Sequence, residues 1–115
     1  MTVEIKRFYE DPSSEDGIRI LVDRLWPRGV KKENANVDLW LKDIAPSSKL
    51  RKWFGHDAER WPDFKTKYVA ELKSKKEALS VIIRAAIDGK VTLLYAARDE
   101  RHNEAVVLKE LIERL

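Results

Sequence analysis

A chain of 115 residues, 43% hydrophobic and 37% charged, has the length of one domain and enough apolar material for one core. Lys and Arg outnumber Asp and Glu by 23 to 20, a surplus that permits an anionic ligand without demanding nucleic acid. The absence of cysteine excludes disulfides, thiolate metal sites and cysteine nucleophiles.

In chain order, "VEIKRFY" at 3–9 alternates apolar and charged positions and predicts a strand. "EDPSSEDG" is dense in turn formers. "IRILVDRLW" predicts a second strand, ended by Pro27 and Gly29. "VDLWLKDIA" at 37–45 predicts two helical turns before Pro46. Ser47 or Ser48 is the expected N-cap of "KLRKWF", with Gly55 at its C-terminus. That helix is too short to persist without an apolar face, so Trp53 and Phe54 should turn inward, with Lys49 and Lys52 outward. Pro62 suits the first turn of the next helix, on which Phe64, Tyr68 and Leu72 recur every four residues. "SKKE" at 74–77 has capping-box spacing and predicts another start, with Leu79, Ile82, Ile83 and Ala86 on the inner face and Gly89 at the end. "KVTLLYAA" predicts a buried strand, followed by a polar loop and a last helix carrying Val107, Leu108, Leu111, Ile112 and Leu115 on one side.

Strand, strand, helices, strand, helix describes a single α/β domain over 1–115: a small three-layer arrangement with a short, mostly parallel sheet flanked by helices. In such sheets ligands bind beyond the carboxyl ends of the strands. Two polar sets are expected there. One wall is Asp23, Arg24, Trp26 and Arg28; the other is Arg98, Asp99, His102 and Asn103. The planar guanidinium forks suit phosphate or carboxylate. Trp26 offers a face for a flat ring, and Arg24 or Arg28 should reach the 98–103 loop. Arg98, directly after the buried strand, should be partly desolvated and paired with Asp23 or Asp99. His56 in "FGHD" joins the ligand set. If there is chemistry, His102 or Asp99 is the acid or base, since imidazole titrates near neutrality. Neither histidine stands in a compact metal-binding signature, so no metal site is expected, and the cofactor stays unknown.

"LVDRLWPRGV", "LWLKDIAPS", "LRKWFGHD" and "LLYAARDERHNEAVVL", in this order, closely resemble the YeaO-like branch of the domain-of-unknown-function family 488. The resemblance runs from about Phe8 to the C-terminus and implies a fold without an assigned activity. Longer members resemble rhodanese-like domains, giving a distant rhodanese-like or Rossmann-like expectation. There the late strand leads into a loop that opens with a nucleophilic cysteine and cradles an anion. The matching point here is Tyr95-Ala96-Ala97, so the cradle is expected without the nucleophile.

The leading expectation is a cytoplasmic α/β protein with a site for a small anionic or nucleotide-like ligand. "MTVEIKRFYE" lacks a signal-peptide core, and no apolar run approaches the ~20 residues of a membrane span. Whether the protein is an enzyme stays open. Two alternatives stand beside this one. In the first, Trp26 and the Lys-rich helices bind nucleic acid. In the second, the polar set is a structural ion-pair network in a module that binds a partner protein.

Overall fold

The structure, a computed structural model, describes residues 2–115. Strands β1 (Val3–Arg7), β2 (Ile18–Leu21), β3 (Leu39–Trp40) and β4 (Val91–Tyr95) form one sheet in the order β1-β4-β2-β3, and every pairing is parallel. The helices are α1 (Ser48–Phe54), α2 (Trp61–Leu72), α3 (Lys76–Asp88) and α4 (Glu104–Glu113).

Right-handed crossovers decide what covers each face. β1 to β2 and β2 to β3 move along the sheet in one direction; β3 to β4 moves back in the other. Opposite directions require opposite faces. Residues 41–90, with three helices, therefore cover one face, and α4 joins them there. Val3, Ile20, Val22, Val91, Leu93 and Tyr95 point into this layer and meet Leu50, Phe54, Phe64, Tyr68, Leu72, Ile82, Leu108 and Ile112 in one buried cluster. On the other face Phe8, Leu21 and Leu94 pack with Ala35, Trp26, Val30, Val37 and Trp40. The helices thus flank a single face, and the third layer is made of loops with single-turn 3-10 helices.

That loop layer holds a buried ionic knot. Asp16 accepts hydrogen bonds from the Lys6 ammonium at 3.2 Å, from the Arg19 guanidinium at 2.5 Å and from the Ser13 amide at 2.9 Å. Arg19 also donates to the carbonyls of Asn36 and Ala35, and the Thr92 hydroxyl to that of Asp16. Gly17 closes the knot at φ 65°, where a Cβ would lie 2.2 Å from the Lys90 carbonyl oxygen; only glycine fits there.

The local signals around the short helices hold. Ser47 caps α1 through the Leu50 amide, and Gly55 ends it in the left-handed region. Phe54 is buried, Trp53 is partly so, and Lys49 and Lys52 face solvent. Phe64, Tyr68 and Leu72 are the buried stripe of α2.

Two expectations are corrected. Residues 37–45 do not form two helical turns. Asp38 and Leu41 donate backbone hydrogen bonds to Arg19 and Leu21, so Leu39–Trp40 becomes the edge strand β3, followed by a single 3-10 turn at Lys42–Ile44. The free edge of β2 outweighed the local periodicity. The capping box at 74–77 is also absent: the Ser74 hydroxyl donates back to the Glu71 carbonyl, and Lys75 begins α3 without a side-chain cap. No helix among the described residues is long and apolar enough to cross a membrane.

Candidate functional site

Because all strands are parallel, every strand delivers its last residue to the same edge. β2 and β4 are neighbours there, and the chain leaves them in opposite directions: β2 leads toward β3, while β4 leads into α4, which packs on β1 and β4. This divergence opens a crevice between the two strand ends. A cavity of about 310 Å³ occupies it. Asp23 and Arg24 form one side, Ala96, Ala97, His102, Asn103 and Glu104 the other, with Phe54, His56, Phe64 and Pro46 closing it from the helical layer.

Each polar group is held from behind. Asp23 leaves β2 and its carboxylate accepts the Ala96 amide at 3.0 Å, tying the two strand ends together. Its carbonyl accepts the Trp40 indole N–H at 2.8 Å. The Arg24 guanidinium donates through one terminal nitrogen to the carbonyls of Ala45 and Pro46 at 3.4 and 3.3 Å. Lys75 donates to the same Ala45 carbonyl. Its pKa lies below the usual lysine range because burial disfavours the charge and Arg24 repels it, against the pull of Glu71. Asn103 caps α4 through the Ala105 and Val106 amides. The Asp99 carboxylate accepts His102 Nδ1 at 2.8 Å and the amides of Arg101 and His102. These contacts, led by the hydrogen bond from His102, hold Asp99 below its ordinary pKa. The His102 ring also meets Trp61 edge-on at 5.2 Å, so its orientation is set from two sides.

Glu104, the first residue of α4, meets Asp23 across the crevice. Burial, then the hydrogen bond to Asp23 and the negative charge there, push its carboxyl well above the usual range. The Glu104 carboxyl is thereby held toward its protonated form beside Asp23. Among the described residues the buried side-chain polar atoms without a protein partner are Arg24 Nε and Glu104 Oε1, and both residues line this cavity. Buried donors and acceptors are ordinarily satisfied, so one orphan of each kind at one crevice is a departure from the rule.

The expected ligand residues separate into three groups. Asp23, Arg24, His56, His102 and Asn103 converge on the cavity. Arg98 and Asp99 line an adjoining open groove with Arg7 and Tyr9. Trp26 and Arg28 go elsewhere, because after Asp23 the chain crosses to the loop-covered face. The Trp26 indole donates to the Val30 carbonyl and packs edge-on against Phe8 and Trp40. Arg28 is exposed, and its carbonyl accepts the Tyr9 hydroxyl. The expected contact of Arg24 or Arg28 with the 98–103 loop is not formed; Arg24 turns to the 45–46 carbonyls instead. Arg98 is exposed rather than partly desolvated, and it has no carboxylate within ion-pair distance among the described residues, because the strand ends at Tyr95 and two alanines complete the emergence. Among these residues no three His, Asp or Glu side chains converge as metal donors.

Sequence reasoning passed over Glu104, Arg51 and Arg7. Glu104 reads as an ordinary acidic first-turn residue; the one hint was its place directly after an N-cap at the end of a buried strand.

His56 adjoins both hollows and has φ 58°, directly after Gly55 at 54°. A side chain in the left-handed region is strained. Replacing His56 with glycine is expected to raise stability by about 0.5–1 kcal/mol, the strain relief less the added freedom of the unfolded chain. Chemical denaturation checks this, and a loss of stability would show that the imidazole makes a compensating contact.

Comparison with known proteins identifies the family. Residues 2–115 match the family model described as the inactive DUF488-N3 subclade. The uncharacterized protein YeaO of Escherichia coli (strain K12) is 39% identical over 115 residues, covering 100% of both chains. An uncharacterized protein of Mycobacterium tuberculosis (strain ATCC 25618 / H37Rv) is 39% identical over 110 residues, covering 96% of this chain and 92% of the relative. No solved structure matches, and the distant rhodanese-like expectation gains no support from that side. With the whole described chain matched and a full-length relative at 39% identity, this protein belongs to the DUF488 family, in its inactive N3 subclade.

Proposed function

We propose that the crevice binds a small anionic or nucleotide-like ligand, and that the protein acts by holding this ligand rather than by transforming it. The observation that carries the reading is Arg24 Nε: a buried cationic donor at the cavity wall with no protein partner. An unpaired guanidinium N–H away from water is costly, and a ligand acceptor removes the cost. The oriented imidazole of His102 gives the same crevice an acid or base, but a chain without cysteine, in a subclade described as inactive, supports binding. The nucleic-acid reading has less behind it. Trp26 is engaged in packing, Lys65 pairs with Glu110 at 2.8 Å and Lys67 lies over Trp53.

The test is thermal unfolding with inorganic phosphate, pyrophosphate, short carboxylates and nucleoside monophosphates. A ligand present at a hundredfold over its Kd is expected to stabilise the fold by about 2.7 kcal/mol, and Arg24→Gln should abolish that gain. No shift with any of these compounds, or a shift that survives Arg24→Gln, overturns the reading.

A further inference from the structure

The cavity of about 310 Å³ sits at the small end of ligand pockets, which run from ~300 to ~1,000 Å³. It is large enough for a nucleobase ring. Next to it lies a groove of about 780 Å³ beside Arg7, Tyr9 and Arg98. The two hollows adjoin, with His56, Ala96 and Ala97 lining both.

Their chemistry differs. Among the residues lining the cavity are Arg24 and Glu104, which carry one orphan donor, Nε, and one orphan acceptor, Oε1. Asp23 beside them is already hydrogen-bonded to Ala96, and its negative charge opposes an anion placed in the cavity. A neutral edge carrying both an acceptor and a donor fits there, as on the amide-like edge of a nucleobase. Phe54, Phe64 and Pro46 supply apolar walls for its ring. The groove has the opposite character. Arg7 donates Nε to the Ala97 carbonyl at 3.2 Å, and its guanidinium lies 4.9 Å from the Tyr9 ring centroid, which orients the fork. Neither Arg7 nor Arg98 has a carboxylate within ion-pair distance among the described residues. The groove's one acid, Asp99, is occupied by His102 and two backbone amides. Two free guanidinium forks in one groove suit a dianionic phosphate.

We infer that the ligand is a nucleoside monophosphate or a molecule of the same bipartite class, its base edge read by Arg24 and Glu104 and its phosphate held in the groove by Arg7 and Arg98. This rests on the crevice reading above and adds a second subsite and an orientation.

Titration calorimetry with the four common ribonucleoside 5′-monophosphates, their nucleosides, ribose 5-phosphate and inorganic phosphate tests it. At least one monophosphate is expected to bind about tenfold or more tightly than its own nucleoside, the effect of charge-assisted hydrogen bonds to the phosphate. Arg98→Gln, a change at a side chain without an ion-pair partner that leaves the fold intact, and Arg7→Gln with it, should erase that difference while the nucleoside binds as before. Arg24→Gln should weaken nucleoside and monophosphate alike. If nucleoside and monophosphate bind equally, or the groove variants leave the difference in place, the inference falls while an Arg24-dependent crevice stands. Binding of inorganic phosphate alone, lost in Arg24→Gln, has the same consequence. If none of these compounds binds, the inference falls, and the crevice reading falls with it unless pyrophosphate or a carboxylate still gives an Arg24-dependent shift.

Discussion

Asp16→Ala is expected to cost about 3 kcal/mol of folding stability. The Asp16 and Arg19 side chains are 9% and 6% exposed, and Lys6 completes the knot at 3.2 Å. Removing the carboxylate leaves two cations under the loops without their counter-charge, and breaking a buried pair from one side typically costs ~3–5 kcal/mol. The lower end applies because the knot is shallow, shielded by loops rather than by a helical layer. Loop 9–17 would loosen first, since the same carboxylate also accepts the Ser13 amide. The same group sets the acid limit. Burial raises its pKa, but hydrogen bonds from Ser13, Arg19 and Lys6 outweigh that and leave it below 3.8. A carboxyl depressed in the folded state contributes stability above its unfolded pKa and loses it as pH falls through the folded value. Wild-type protein should therefore lose stability below about pH 4, and Asp16→Ala should lose less there. Urea unfolding at neutral pH and across the acid range measures both. A cost under about 1 kcal/mol, or an unchanged acid arm, would show that the knot is solvated.

The second large effect lies at Glu104 and has the opposite sign with pH. Its carboxyl is held well above its ordinary 4.5 by burial and by Asp23. Above about pH 4.5 the unfolded chain releases this proton while the folded chain keeps it. The folded state then binds more protons, so stability falls as pH rises, by up to about 1.4 kcal/mol per pH unit for this one proton, until the folded pKa is passed. Glu104→Gln removes the titration and keeps a donor toward Asp23. Its stability should decline less than wild type from about pH 5 upward and exceed it at about pH 8. Parallel profiles for the two proteins would mean that Glu104 ionises freely. The variant also tests the crevice separately from the fold: a Glu104→Gln protein that is more stable yet binds the ligand less tightly would show an acid retained at a cost in stability.

How much was legible before folding depended on how far apart the determining groups lie in the chain. The caps of α1, the Phe64-Tyr68-Leu72 stripe and the succession of buried strand, polar loop and helix at 91–113 all depend on neighbours within about four positions, the range over which helices and turns are encoded. From those the parallel α/β class followed, and with it the rule that strand ends gather at one edge. That rule was enough to assign Asp23, Arg24, His102 and Asn103 to one crevice.

What tertiary structure alone decided concerns partners far apart in the chain. Leu39–Trp40 became a strand because the edge of β2 offered hydrogen bonds to a segment distant in the chain. Trp26 and Arg28 left the crevice because the β2-to-β3 connection must cross on the face opposite the helices. Arg7, near the start of the chain, reached the groove because β4 inserts beside β1. The pairing of Glu104 with Asp23 joins a helix start to a strand end, and neither position advertises the other. Local sequence set the periodicities and caps, whereas strand order and crossover hand, which emerge only when the whole core is buried at once, chose which polar groups were left facing each other.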